Sequence, residues 1–116
     1  MKGESTATAG WTRAGIDELL ATSAGIAVVA SARHDDGIGH VDFLLVDLTK
    51  DVVASVVDRK DIGFAVPPPA VREAWRSAVA LELGSSYRLF FHVYDKSGVS
   101  LVAYDRRDFT CESKGQ

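Results

Sequence analysis

The sequence predicts an α+β fold: a five-stranded, largely antiparallel sheet with two helices on one face, in the order α-β-β-β-α-β-β. Three observations predict it. Valine-rich and aromatic runs of strand length alternate with turn-forming residues. Two stretches, 11–24 and 70–83, space their apolar residues three and four apart, as on one helix face. A twenty-residue segment echoes another further along the chain, and both read as hairpins.

Trp11 to Ala24 is the first expected helix, with Thr12 as its N-cap and Gly25 as its stop; Ile16, Leu19 and Leu20 form its apolar stripe and Trp11 flanks it. Ile26 to Arg33 follows as a Val-rich strand, bounded by the turn-like HDDGIGH. Val41 to Leu48 is apolar on both faces at its centre, which suits the interior of a sheet. Val52 to Val57 is ambiguous in period, but four β-branched residues in six favour a strand. Pro67, Pro68 and Pro69 form a stiff connector, and the last is placed to open a helix. Ala70 to Leu83 sets Val71, Ala74, Trp75, Ala78 and Val79 on one side, and Gly84 stops it. Tyr87 to Asp95 and Val99 to Tyr104, joined by Lys96, Ser97 and Gly98, form the clearest hairpin.

A shift of 47 positions lays Phe43 to Ile62 over Phe90 to Phe109 without a gap and with six identities in twenty. If the second segment is a hairpin, so is the first, with Thr49, Lys50 and Asp51 near its turn. Each would end in a charged exit, Asp58-Arg59-Lys60-Asp61 and Asp105-Arg106-Arg107-Asp108, followed by Ile62 or Phe109. One reading of that exit is a strand terminus whose aspartates bind backbone amides. The other is a paired binding feature, with Arg59 and Arg106 each held ready by neighbouring carboxylates.

At 116 residues the chain fits one domain and buries enough surface to need no disulfide or metal. The expected organisation is a flexible tail over 1–10, one domain over 11–111, and a second tail over 112–116. Net charge is −3, which argues against direct nucleic-acid binding and against an anionic membrane surface. Eleven Asp against five Glu place much of that acidity in turns rather than helices. Cys111 is the single cysteine, no secretory leader is visible and no apolar run spans a bilayer, so the expected location is the cytoplasm.

The candidates for chemistry are few. His34 and His40 bracket Asp35 and Asp36, a grouping able in principle to hold a divalent metal, but zinc signatures are absent and two glycines point to a decorated turn. His92 alternates with Phe90 and Tyr94, while Leu89, Phe91 and Val93 point the other way into a core. Arg88, His92 and Tyr94 therefore share a face, either solvated or lining a cleft where His and Tyr could exchange protons. Cys111 has no basic partner nearby in sequence, and no nucleophile elbow or phosphate loop occurs. No catalytic residue, cofactor or metal is therefore assigned.

These features lead to a small acidic cytosolic protein-binding domain, most concretely an inhibitor or immunity-type, antitoxin-like protein that neutralises a basic toxin such as a nuclease effector. Its expected partner-binding residues are Asp35, Asp36, Asp58, Arg59, Asp61, Arg88, His92, Tyr94, Asp105, Arg106 and Asp108. Two alternatives stay open: a small enzyme or ligand-binding domain using the Arg88, His92 and Tyr94 face, and a homodimeric accessory subunit.

Overall fold

The computed structural model describes residues 12–50, 52–61 and 69–114, the stretch 52–61 by its backbone. The expected tail 1–10, Trp11, Asp51, Ile62, Pro67, Pro68 and residues 115–116 lie outside the described residues. Seven strands account for the regular structure: β1 (Thr12–Thr22), β2 (Gly25–His34), β3 (Ile38–Asp47), β4 (Val52–Asp61), β5 (Ala70–Ser77), β6 (Ser86–Asp95) and β7 (Leu101–Thr110). Among the described residues there is no helix, so the α+β expectation is overturned. Two antiparallel sheets replace it, one ordered β1-β2-β5 and the other β4-β3-β6-β7.

The first expected helix is β1, and a β-bulge explains the misreading. Pairing with β2 runs in step to Ile16, then resumes one residue late at Glu18. The extra residue shifts the pleat, so the core-facing positions are Ala14 and Ile16 before the bulge and Leu19 and Ala21 after it. Ile16 and Leu19 thus stand three apart on one face of a strand, a spacing a regular strand does not produce.

The second expected helix is β5, where period two replaces the helical reading. Val71 and Trp75 turn inward, while Arg72, Ala74 and Arg76 are exposed. A four-residue spacing between the two apolar residues fits either element. The decision comes from β2, whose free edge offers a row of backbone donors and acceptors that β5 pairs from Ser77 through Ala70. Residues 78–82 then run irregularly to a turn at Leu83 and Gly84.

The echoing hairpins are both real and lie in one sheet. β3 and β6 are its central strands and β4 and β7 its edges, so Val52–Val57 is a strand as expected and β3 is interior. The ladder pairs Phe43 with Phe91, and both are fully buried. Phe90, the match of Phe43 at a shift of 47, lies half-buried on the opposite face. The structural match of Phe43 is instead Phe91, one residue further. A local twofold axis through the Phe43–Phe91 pair exchanges the hairpins, and it relates Asp58, opposite Phe43, to Asp105, opposite Phe91. The shift of 47 thus holds where Asp58 meets Asp105, whereas the inner strands and the Val53 and Ser55 part of β4, matched to Leu101 and Ala103, are offset by 48; the additional irregularity in the β3–β4 ladder accounts for the difference.

Phe43 stacks on Trp75 across the layers, with ring centroids 5.2 Å apart and planes 7° from parallel. Tyr87, Leu89, Phe91 and Val93 of β6 meet the same core, as do Ile26, Val28 and Ala30 of β2. Along one side, β7 reaches β1. The Ile16 amide donates to Asp105 Oδ2 at 2.8 Å, and Arg107 Nη2 donates to the Ile16 carbonyl at 2.6 Å. Side chains thereby satisfy backbone groups on the outer edge of β1 that no strand pairs, which also blunts the edge against intermolecular pairing. At the C-terminal end, the Ser23 amide donates to the Ser113 carbonyl at 2.9 Å, and Cys111 is buried.

Candidate functional site

Strand alternation splits the four-stranded sheet into a core face and an outer face. On β6 the outer residues are Arg88, Phe90, His92 and Tyr94. Their ladder partners on β7 place Asp108 opposite Arg88, Arg106 opposite Phe90, Tyr104 opposite His92 and Leu101 opposite Tyr94. From β3 come Val46, Leu44, Asp42 and His40, opposite the same four β6 residues.

One end of this face is charged. Arg88 donates to both carboxylate oxygens of Asp108, at 2.7 and 2.9 Å, and this bidentate bond holds the Asp108 carboxyl below its ordinary range.

The middle carries polar rings. His92 stacks on Phe90 at 5.6 Å, and burial pushes its imidazole pKa down while the Asp42 carboxylate across the ladder partly opposes the shift. His40 and Asp42 are buried, at 4% and 6% exposure, although both lie on the outer face. The His40 ring stacks on Tyr94 at 4.3 Å and lies beneath Gly98 of the β6–β7 turn. His40 Nε2 lies 3.9 Å from Asp42 Oδ1 and makes no hydrogen bond among the described residues.

The far end is apolar and exposed. Tyr94 meets Leu101 in the ladder, and Val99, Leu101 and Tyr104 are 80%, 49% and 60% exposed. Acidic turns adjoin it. The ladder pairs Ile38 with Asp95, which brings the β2–β3 turn with Asp35 and Asp36 to the same end as the β6–β7 turn. Asp95 is held ionised below its ordinary range, first by the Ser97 hydroxyl and then by turn amides. Asp35 forms a 3.1 Å ion pair with Arg33. Asp61 lies opposite His40 in the β3–β4 ladder, at this end as well.

The structure redistributes the sequence-predicted residues. Asp58–Asp61 are the last four residues of β4, whereas Asp105–Asp108 lie within β7, which runs on to Thr110. Alternation sends Asp105 and Arg107 toward β1, and leaves Arg106 and Asp108 on the outer face. Arg59 lies opposite Asp42 and Arg106 opposite Phe90, on the two edge strands. Three strand spacings, roughly 14 Å, separate those edges, so the two arginines are not brought together as a pair. Arg88, His92 and Tyr94 share a face but are spread along one strand, with Arg88 and Tyr94 roughly 20 Å apart by the strand rise. His34 ends β2 in one sheet, with Nδ1 3.0 Å from Thr12 Oγ1, and His40 sits within β3 in the other. Among the described residues no group of three or more His, Cys, Asp or Glu is placed to hold a metal.

Sequence reasoning missed Asp42 altogether and placed His40 in a loop. The signal for both was the alternation of Val41, Phe43 and Leu45, which sends His40 and Asp42 to the other face. Their burial there had no signal. No family model matches the chain, and no curated protein matches it in sequence. No helix among the described residues is long and apolar enough to cross a membrane.

Proposed function

We propose that the chain is a small acidic protein-binding domain that captures a basic protein with the outer face of its four-stranded sheet and the turns beside it. Its most concrete form is a cytoplasmic inhibitor or immunity-type protein that neutralises a basic toxin. One observation carries the reading: Leu101 and Tyr104 stand exposed on the outer face, Leu101 opposite Tyr94, at the end where the turns bear Asp35, Asp36 and Asp95. Exposed tyrosine and aliphatic side chains inside a charged rim have the make-up of a recognition surface. Asp35, Asp36 and Asp95 outnumber the nearby Arg33 and Lys96, and the chain's net charge is −3, so electrostatic complementarity favours a basic partner and speeds its approach.

The enzyme reading draws less support. Arg88 is engaged by Asp108 and Tyr94 by the His40 ring, and the three residues are strung along a strand instead of converging on one reacting atom.

The test is affinity capture from native lysate with the full chain as bait, alongside Leu101→Asp and Tyr104→Ala baits. The expected result is a stoichiometric basic protein that the original chain retains, that both variants lose, and that salt weakens. No stoichiometric partner, or one the variants hold equally well, would overturn the proposal.

A further inference from the structure

The outer face of the three-stranded sheet carries a second surface that the protein-binding reading does not use. Its central strand is lined by small side chains: Ala27 and Val29 of β2 point outward, and Ala74 of β5 lies beside Val29. Longer side chains wall this floor, with Glu18 and Leu20 on β1 and Arg76 on β5. The result is a trough of about 450 Å³. Leu20 rises from its wall 70% exposed, the most exposed leucine among the described residues. Knob and hole therefore occupy one face.

The charges on the two walls are opposite. Glu18 lies in the row with Val29 and Ala74, and Leu20 in the next row with Ala27 and Arg76. None of the ion pairs among the described residues engages Arg76. Consider a second copy laid face to face and turned about a twofold axis running along β2. Its β5 then crosses this β1, so its Arg76 stem covers Leu20. Its guanidinium then lies within reach of Glu18, one two-residue step of about 7 Å along the strand. Because such an interface is isologous, the Leu20 contact and the Glu18–Arg76 pair each form twice.

We infer that the chain forms a twofold homodimer through the outer face of β1-β2-β5, with Leu20 of each copy seated against the trough and the Arg76 stem of the other. This sheet-on-sheet contact has the near-aligned geometry that twisted sheets favour. It leaves the Val99, Leu101 and Tyr104 surface free on both copies, so a dimer presents two equivalent recognition surfaces.

Sedimentation and light scattering of the full chain across a concentration series test the inference. The expected mass is twice the 12.5 kDa of one chain. Leu20→Glu should give the single-chain mass with an unchanged circular dichroism spectrum, since the side chain is exposed. Glu18→Arg and Arg76→Glu should each weaken the dimer by about tenfold, and the double variant should recover it. Arg72 keeps Asp17 as a neighbour at 3.6 Å when Glu18 is replaced, so its own anchoring survives the exchange. Leu101→Asp should leave the mass at two chains, which separates this surface from the proposed recognition surface. A single-chain mass at every concentration would overturn the inference. So would a dimer that Leu20→Glu leaves intact or Leu101→Asp dissociates, or a double variant no better than the single ones.

Discussion

The two sheets bury different kinds of residue. In β4-β3-β6-β7 the core positions hold Phe43, Leu45, Tyr87, Leu89 and Phe91, large groups with little or no exposure. In β1-β2-β5 the core positions of the central strand are Ile26, Val28, Ala30 and Ala32, and Trp75 supplies the layer's buried aromatic ring among the described residues. The outer faces differ as well: aromatic rings and an ion pair on the four-stranded sheet, a trough of small residues on the other. Strongly apolar central strands define themselves, whereas the smaller layer depends on what pairs with it. The strands misread as helices, β1 and β5, are the two edges of that smaller layer.

The largest test of this contrast removes a ring from the thick layer. Phe43→Ala deletes a fully buried side chain that stacks on Trp75 and meets Phe91 at a tilt, with ring centroids 5.1 Å apart. It should cost about 3–5 kcal/mol, and Ile26→Ala in the thin layer should cost less, about 2 kcal/mol. Urea midpoints at constant slope measure both, and equal losses would break the comparison.

Next in size is the junction of the layers. Asp105→Ala leaves the Ile16 amide without its partner in a part-buried site and should cost about 1–3 kcal/mol. Hydrogen exchange at Ile16 should quicken with it. An unchanged exchange rate would mean that the two layers do not depend on this contact.

His92 gives a pH-dependent test of the outer face. Burial lowers its pKa below the ordinary 6.5, so the unfolded chain binds more protons in the interval between the two values. Stability tied to this residue is therefore complete above pH 6.5 and declines as pH falls toward the lowered value. Thermal melts of His92→Gln should lose that part of the slope.

The smallest effect is expected at Arg88. Its bond to Asp108 is solvent-exposed, so Arg88→Ala should barely change the melting temperature. Carboxyl titration by NMR should still show Asp108 moving back up toward 3.8. A large loss of stability would show that the outer face contributes more to the fold than its exposure implies.

Legibility followed the same division. The Leu89, Phe91 and Val93 face of β6 was readable because period-two patterns survive where pairing stays in register, the central place of β3 from its apolar run, and the first hairpin from its echo of the second. β1 was unreadable because its bulge moved Leu19 onto the Ile16 face. β5 was unreadable because Ala, Arg and Glu are good helix formers, and propensity is a weak prior beside an unpaired strand edge. Within the candidate site, the common face of Arg88, His92 and Tyr94 was legible from alternation alone. The burial of His40 and Asp42 was not, since the turn that covers His40 is brought there by β6 and β7, with Gly98 nearly sixty residues away in sequence.

From local pattern alone, the chain determined its central strands, the β6–β7 hairpin and the acidity of its turns, because those depend on residues within a few positions of one another. Tertiary structure decided that the flanking segments are strands, that Asp105 and Arg107 bridge the layers, and which polar groups lie covered. Those outcomes rest on backbone groups and side chains meeting across long sequence separations, where an unsatisfied buried donor costs more than local helix propensity returns.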